Sequence, residues 1–243
     1  MPEHPIRIVS AGHHGKLVYN GGPLLTAVNV VTVYWGETWT APPQAQLRKD
    51  LDAYFDYIVQ SPLIDQLSAE YSVQGKNIGH GQHSQSVLIP DATVSKLLSD
   101  AEIQTAIQGW ITGGTLPPST PNTLYFLFLP QGTVDTLQGE QSCTNFCGYH
   151  DAINPNGNPI FYAVMPYQDC IGCTSANTPA AQFEAFTMVS SHELSEAITD
   201  PIPGQGWYNQ KKGEVGDLCE GHVKNLNGYT IQLEWSNAQN RCV

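Results

Sequence analysis

Apolar and polar positions change period several times along this chain, and each change marks an element. A nearly unbroken apolar run over 25–35 follows the turn Gly21-Gly22-Pro23, and its β-branched and aromatic residues predict a central strand. After Pro42-Pro43, Leu47, Leu51, Tyr54, Phe55 and Ile58 keep helical spacing. They predict a helix that continues in broken form to about Tyr71 and covers one face of a sheet. Strands are predicted over 71–73 and 86–89, with the Gly-rich stretch between them read as a loop. Ser99-Asp100-Ala101-Glu102 is a capping box ahead of the stripe Ile103, Ile107, Trp110 and Ile111, and Gly113-Gly114 is the stop. Two more apolar strands follow over 123–129 and 160–165. Asn227-Gly228 is a two-residue turn and 229–235 alternates, so the chain is expected to close on a β-hairpin.

Together these elements predict an α+β (mixed α/β) fold, with a twisted mixed sheet packed against helices. With 243 residues, 41% of them hydrophobic, the chain can bury a substantial core. We expect a single domain over 1–243, with a flexible N-terminal segment over 1–18. No linker separates two parts and no internal repeat is visible.

Charge changes the picture in one place. Only 13% of residues are charged, yet His192, Glu193, Glu196, Asp200, Glu214, Asp217 and Glu220 crowd into thirty residues. The net charge of −12, with no basic cluster, excludes nucleic acid as a partner. No apolar run of about 18 residues exists to span a membrane. The N-terminus has no apolar signal region, so we expect that a secretory signal has been removed.

Asn177-Thr178-Pro179 predicts a helix start and Asp200-Pro201 its end. On this helix Phe183, Phe186, Leu194, Ala197 and Ile198 form a core stripe, and His192 and Glu196 fall on the other side, as the wall of a cleft. Ligand-type side chains at i and i+4 rise about 6 Å along the axis, close enough to grip one ion. This is the zincin-type spacing, as HExxE in place of HExxH, with Glu193 beside the ion as a general base. A zinc site needs a further ligand, which Glu214 or Asp217 is placed to supply, with Asp200 a weaker candidate. His150 or Tyr208 is expected to stabilise the oxyanion. An ordinary hydrated helix face would carry the same four letters, and the second acidic cluster is what favours a site.

The expected cofactor is therefore Zn²⁺ and the expected reaction hydrolysis of an extended peptide or protein substrate by a monomer. Two carboxylates make a harder donor set than two imidazoles, so Ca²⁺ is the alternative, in a binding protein without catalysis. His80 and His83 share an H-x-x-H spacing that pairs side chains only on a helix, so we read them as loop residues. His13-His14 is discounted further. Trp207 and Trp235 are read as packing aromatics.

Six cysteines fall as Cys143-x3-Cys147, Cys170-x2-Cys173, Cys219 and Cys242. A four-cysteine zinc ribbon is one reading of the first two pairs. An even count in a lysine-poor chain favours disulfides and an oxidising compartment. The expected bridges join sequence neighbours, 143 with 147, 170 with 173 and 219 with 242, the last closing the longest loop and contributing most.

Finally, YNGGPLLTAVNVVTVYWGETW, SCTNFCGYHD and GWYNQKKGEVGDLCEG, in that order, together resemble the phosphate-induced, EXORDIUM-like family of secreted proteins. The resemblance implies secretion, disulfides and a cell-wall-associated role, and it implies no reaction. Plant members as a group do not display HELSE in the corresponding helix, so catalysis rests on the residues themselves.

Overall fold

The computed structural model describes residues 15–154 and 157–243. Five strands form the main sheet: β1 (Ala27–Trp35), β2 (Gly79–Ile89), β3 (Thr123–Phe128), β4 (Tyr149–Ile153) and β5 (Ile160–Met165). Their order is β2-β1-β3-β5-β4, with β4 alone antiparallel and at an edge. The apolar run of β1 lies inside the sheet, as its composition predicts. Alternation along a strand sends Val28, Val30 and Tyr34 into one core and Val31, Val33 and Trp35 into the other.

Four helices complete the layers: α1 (Gln44–Ile58), α2 (Pro62–Tyr71), α3 (Asp100–Thr112) and α4 (Pro179–Thr199). Apolar residues of α1, α2 and α4 fill the first core, and Ile103 and Ile107 of α3 the second. The break between α1 and α2 has a local cause, since the Ser61 hydroxyl accepts from the Leu63 N–H at 3.2 Å and Pro62 opens the new first turn. The capping box at Ser99 and Glu102 forms as expected. A hairpin of β6 (Val223–Leu226) and β7 (Tyr229–Gln232) turns at Asn227-Gly228.

Several expectations are corrected. Residues 71–73 form no strand, because α2 continues through Tyr71, whose ring is buried; Val73 makes only an isolated bridge to Lys76. From Gly79 on, the Gly-rich stretch is no loop but the first half of β2, which follows β1 through two register shifts. Nor are 15–18 a free tail: Leu17 is buried, its N–H donates to Asn237 Oδ1, and Val18–Tyr19 pair with Trp207–Tyr208. The remainder of the expected flexible segment, 1–14, with His13-His14, lies outside the described residues.

The cysteine pairing is also corrected. Cys143 bonds Cys170 and Cys147 bonds Cys173, while Cys219–Cys242 is as expected. The antiparallel β4–β5 pair brings the segment before β4 beside the segment after β5, so cross-bonding joins what the sheet has already made neighbours. The crossed bridges span 27 and 26 residues against 23 for the third, so the third does not close the longest loop. No cysteine is free, which leaves no thiolate for a zinc ribbon.

Away from the helix-rich face, Asp135 stands on the strand Val134–Leu137 with 0% exposure and no hydrogen bond to either carboxylate oxygen. Burial pushes it up to about 6. An unfolded aspartate titrates near 3.9, so the folded state holds the proton more tightly. Its contribution to stability is complete below about pH 4 and is lost as pH rises through 6, by roughly 3 kcal/mol. Asp135→Asn is expected to remove this decline, read from urea midpoints between pH 4 and pH 8. A variant that tracks the parent at every pH would exclude Asp135 as its source.

Candidate metal centre

The site is built on the last two turns of α4. Thr178 caps the helix by accepting from the Ala181 N–H at 3.3 Å, and Pro179 occupies its first turn. At the other end the backbone leaves helical geometry at Asp200, ahead of Pro201. From Val189 to Thr199 every residue of α4 is buried, so this half of the helix has no solvated face. The side opposite the core stripe is covered by the β6–β7 hairpin and by the loop 213–217. Ser191 fixes the hairpin: its hydroxyl donates to the Met188 carbonyl and accepts from the Gln232 N–H at 2.9 Å.

Six of the expected residues converge there. His192 Nε2 lies 3.1 Å from Glu196 Oε1, which also accepts from the Asp217 N–H at 3.1 Å. Asp217 Oδ2 in turn accepts from the Glu214 N–H at 2.9 Å. From strand β4, His150 Nε2 reaches the Glu214 carboxylate at 3.3 Å and Glu196 Oε2 at 3.7 Å. Donor atoms of His192, Glu196 and Asp217 all lie within 4.8 Å of one another, and so do those of His150, Glu193 and Glu196. His150 thus stands among the ligand-type groups, where an oxyanion role was expected.

Close backbone approach makes the convergence possible. A methyl group built on Gly216 would lie 2.6 Å from His192 Nδ1, and one on Gly148 would lie 3.2 Å from Glu193 Oε1 and 2.7 Å from Val189 Cγ1. Only glycine lets the loop and the start of β4 come this near to α4.

Electrostatically the centre is overloaded with acid. His150, His192, Glu193, Glu196 and Glu214 are all at or below 4% exposure, and Asp217 is half-buried. Burial pushes Glu193 up despite the pull of His192; burial and then Glu196 push Glu214 and Asp217 up. Glu196 moves the other way: burial opposes its charge, but His192, His150 and the Asp217 N–H hold it below the usual range. Burial lowers His150 to about 4, whereas for His192 burial is outweighed by Glu196. Glu193 Oε1, Glu196 Oε2 and Glu214 Oε1 are buried without hydrogen-bond partners. Buried carboxylates without partners are costly unless they take up protons or a cation lies among them. Two imidazoles with several carboxylates form a mixed N,O donor set that fits a zinc-like ion.

Other expected residues sit elsewhere or at the margin. Asp200 accepts the N–H groups of Gly204 at 2.7 Å and Gln205 at 3.0 Å, as well as that of Gly206, and so anchors the turn after α4 and joins neither triad. Tyr208 borders the cluster, pushed up to about 12 by burial and by Glu214 and Asp217. His80 pairs with Asp65 and His83 with Asp56, both on β2 and apart from the site. Two contributors escaped the sequence reading. Gln232 Nε2 lies 2.8 Å from His192 Nδ1 and donates to the Gly216 carbonyl at 2.9 Å; Glu234 is fully buried, and its carboxyl is pushed up by burial against the pull of His192. The alternation over 229–235 was their signal, but it reads as a solvated face until α4 is known to lie under it.

No protein-family model matches the chain, and neither a curated protein nor a solved structure matches it significantly.

Gln232 Nε2 donates to the Gly216 carbonyl and lies against Nδ1, and so fixes the His192 ring with Nε2 turned toward Glu196. Such outer partners tune metal affinity. Gln232→Ala is expected to weaken metal binding about 10- to 100-fold, measured by chelator competition. Unchanged affinity would show that His192 is not oriented through this contact.

Proposed function

We propose that this chain is a metal-dependent hydrolase, a zincin-like metallopeptidase of the extracellular space. The observation that carries the reading is Glu193: a carboxylate on the turn that carries His192, buried, with Oε1 free of hydrogen bonds and its proton affinity raised. A group that only balanced charge would be paired. His192, Glu196 and Asp217 would hold Zn²⁺, which supplies Lewis acidity and lowers the pKa of a water molecule.

Within this reading, Glu193 takes the proton of the attacking water and passes it to the leaving amine. Its raised proton affinity suits a group that must hold and then release a proton near neutral pH. Tyr208, kept protonated by burial and by its acidic neighbours, can donate to the developing oxyanion. Edge strand β4 offers an extended peptide a backbone to pair with. The crossed disulfides, and the absence among the described residues of a helix able to cross a membrane, agree with a secreted protein.

The burial of five of the six residues favours a second reading, a cation held permanently for stability in a binding protein of the EXORDIUM-like type. Calcium, the ion first expected there, takes oxygen ligands, and two converging imidazoles weigh against it. Glu193→Gln separates the readings, since it keeps shape but cannot take a proton. The hydrolase reading expects this variant to fold, to keep its metal and to lose casein or peptide hydrolysis by a factor on the order of 100 or more. Equal hydrolysis by parent and variant, or none by the zinc-loaded parent, would leave the stability reading.

A further inference from the structure

The two oxygens of Glu196 do not serve the same neighbour. Oε1 lies 3.1 Å from His192 Nε2 and Oε2 lies 3.7 Å from His150 Nε2. Each imidazole also has a carboxylate of its own, Asp217 grouped with His192 and Glu214 at 3.3 Å from His150. We propose that the centre takes two divalent cations bridged by Glu196, with His192 and Asp217 completing one site and His150 and Glu214 the other.

Three arguments support the second site. Ligand atoms bound tetrahedrally at about 2.0–2.1 Å lie roughly 3.3 Å apart, and the three separations around Glu196 and His150 bracket that spacing. A carboxylate that presents its oxygens to different partners is the bridge found between ions about 3.5–4 Å apart. Charge gives the third argument. Glu193, Glu196, Glu214 and Asp217 bring four carboxylates together; one divalent ion offsets two of them, and a second offsets the rest. Glu196 Oε2 and Glu214 Oε1, two of the buried acceptors without hydrogen-bond partners, both belong to the His150 side.

The proposal rests on the hydrolase reading above only in the role of Glu193, whose carboxylate is grouped with His150 and Glu196. It therefore places the base beside the second ion, and makes His150 a ligand drawn from strand β4 rather than an oxyanion donor.

The test is stoichiometry on the full chain with disulfides intact. Protein stripped by chelator, reloaded with Zn²⁺ and desalted is expected to hold two ions per chain by elemental analysis, and His150→Gln to hold one. Mn²⁺-loaded parent is expected to give the spin-coupled resonance spectrum of a bridged pair, which decides the matter should the variant fail to fold. One ion in the parent, or two without coupling, overturns the bridged pair and leaves the hydrolase reading standing. No tightly held ion in the parent overturns both.

Discussion

Keeping Glu196 charged inside the protein is the constraint on which the site depends. Its side chain is 0% exposed, and burial alone would protonate it. Three groups from three elements prevent this: His192 from its own helix, His150 from β4 and the Asp217 N–H from the 213–217 loop. Each must approach within hydrogen-bonding or near-bonding distance. The glycines at 148 and 216, the enclosed second half of the helix and the hairpin docked through Ser191 are then consequences of one requirement.

The same requirement explains why the edge of the sheet is so strongly held. Adjacent residues on β4 point to opposite faces, so His150 faces α4 while Tyr149 faces α3, where its hydroxyl donates to Asp100 Oδ1 at 2.8 Å. Tyr162 on β5 donates to the same oxygen at 2.7 Å. Beyond the strand ends, two disulfides tie the chain before β4 to the chain after β5. An edge strand with few partners opens readily. This one carries a site residue and is pinned on both faces and at one end.

Where the local pattern had one physical meaning, the sequence was a good guide. The unbroken run of β1, the capping box at Ser99, the Thr178-Pro179 start and the Asn227-Gly228 turn all formed, because each depends on neighbours within a few residues. Helical spacing likewise put His192 and Glu196 together. Apart from the strand misread over 71–73 and the Gly-rich stretch misread as a loop, the failures are tertiary. Cysteine partners depend on which strands are adjacent, which Cys-x3-Cys spacing does not encode. Gln232 and Glu234 alternate like exposed residues, and only the packing of the hairpin onto α4 buries them. His150, far from the helix in the chain, arrives by sheet order, and Asp200 is taken by the turn that ends the helix.

Exposure within the cluster is uneven. Asp217 is half-buried where its five neighbours are nearly or fully enclosed, so of the six side chains it is the one that solvent touches most. That loop is held by hydrogen bonds of the cluster itself, Asp217 N–H to Glu196 and Glu214 N–H to Asp217. Its far end is tied down by the Cys219–Cys242 bridge. Its near end is held as well, by paired backbone hydrogen bonds between Asn209 and Gly213, so the loop is fixed at both ends. Held at both ends and bonded to the cluster in between, the loop fixes where the Asp217 carboxylate stands relative to Glu196 and His192.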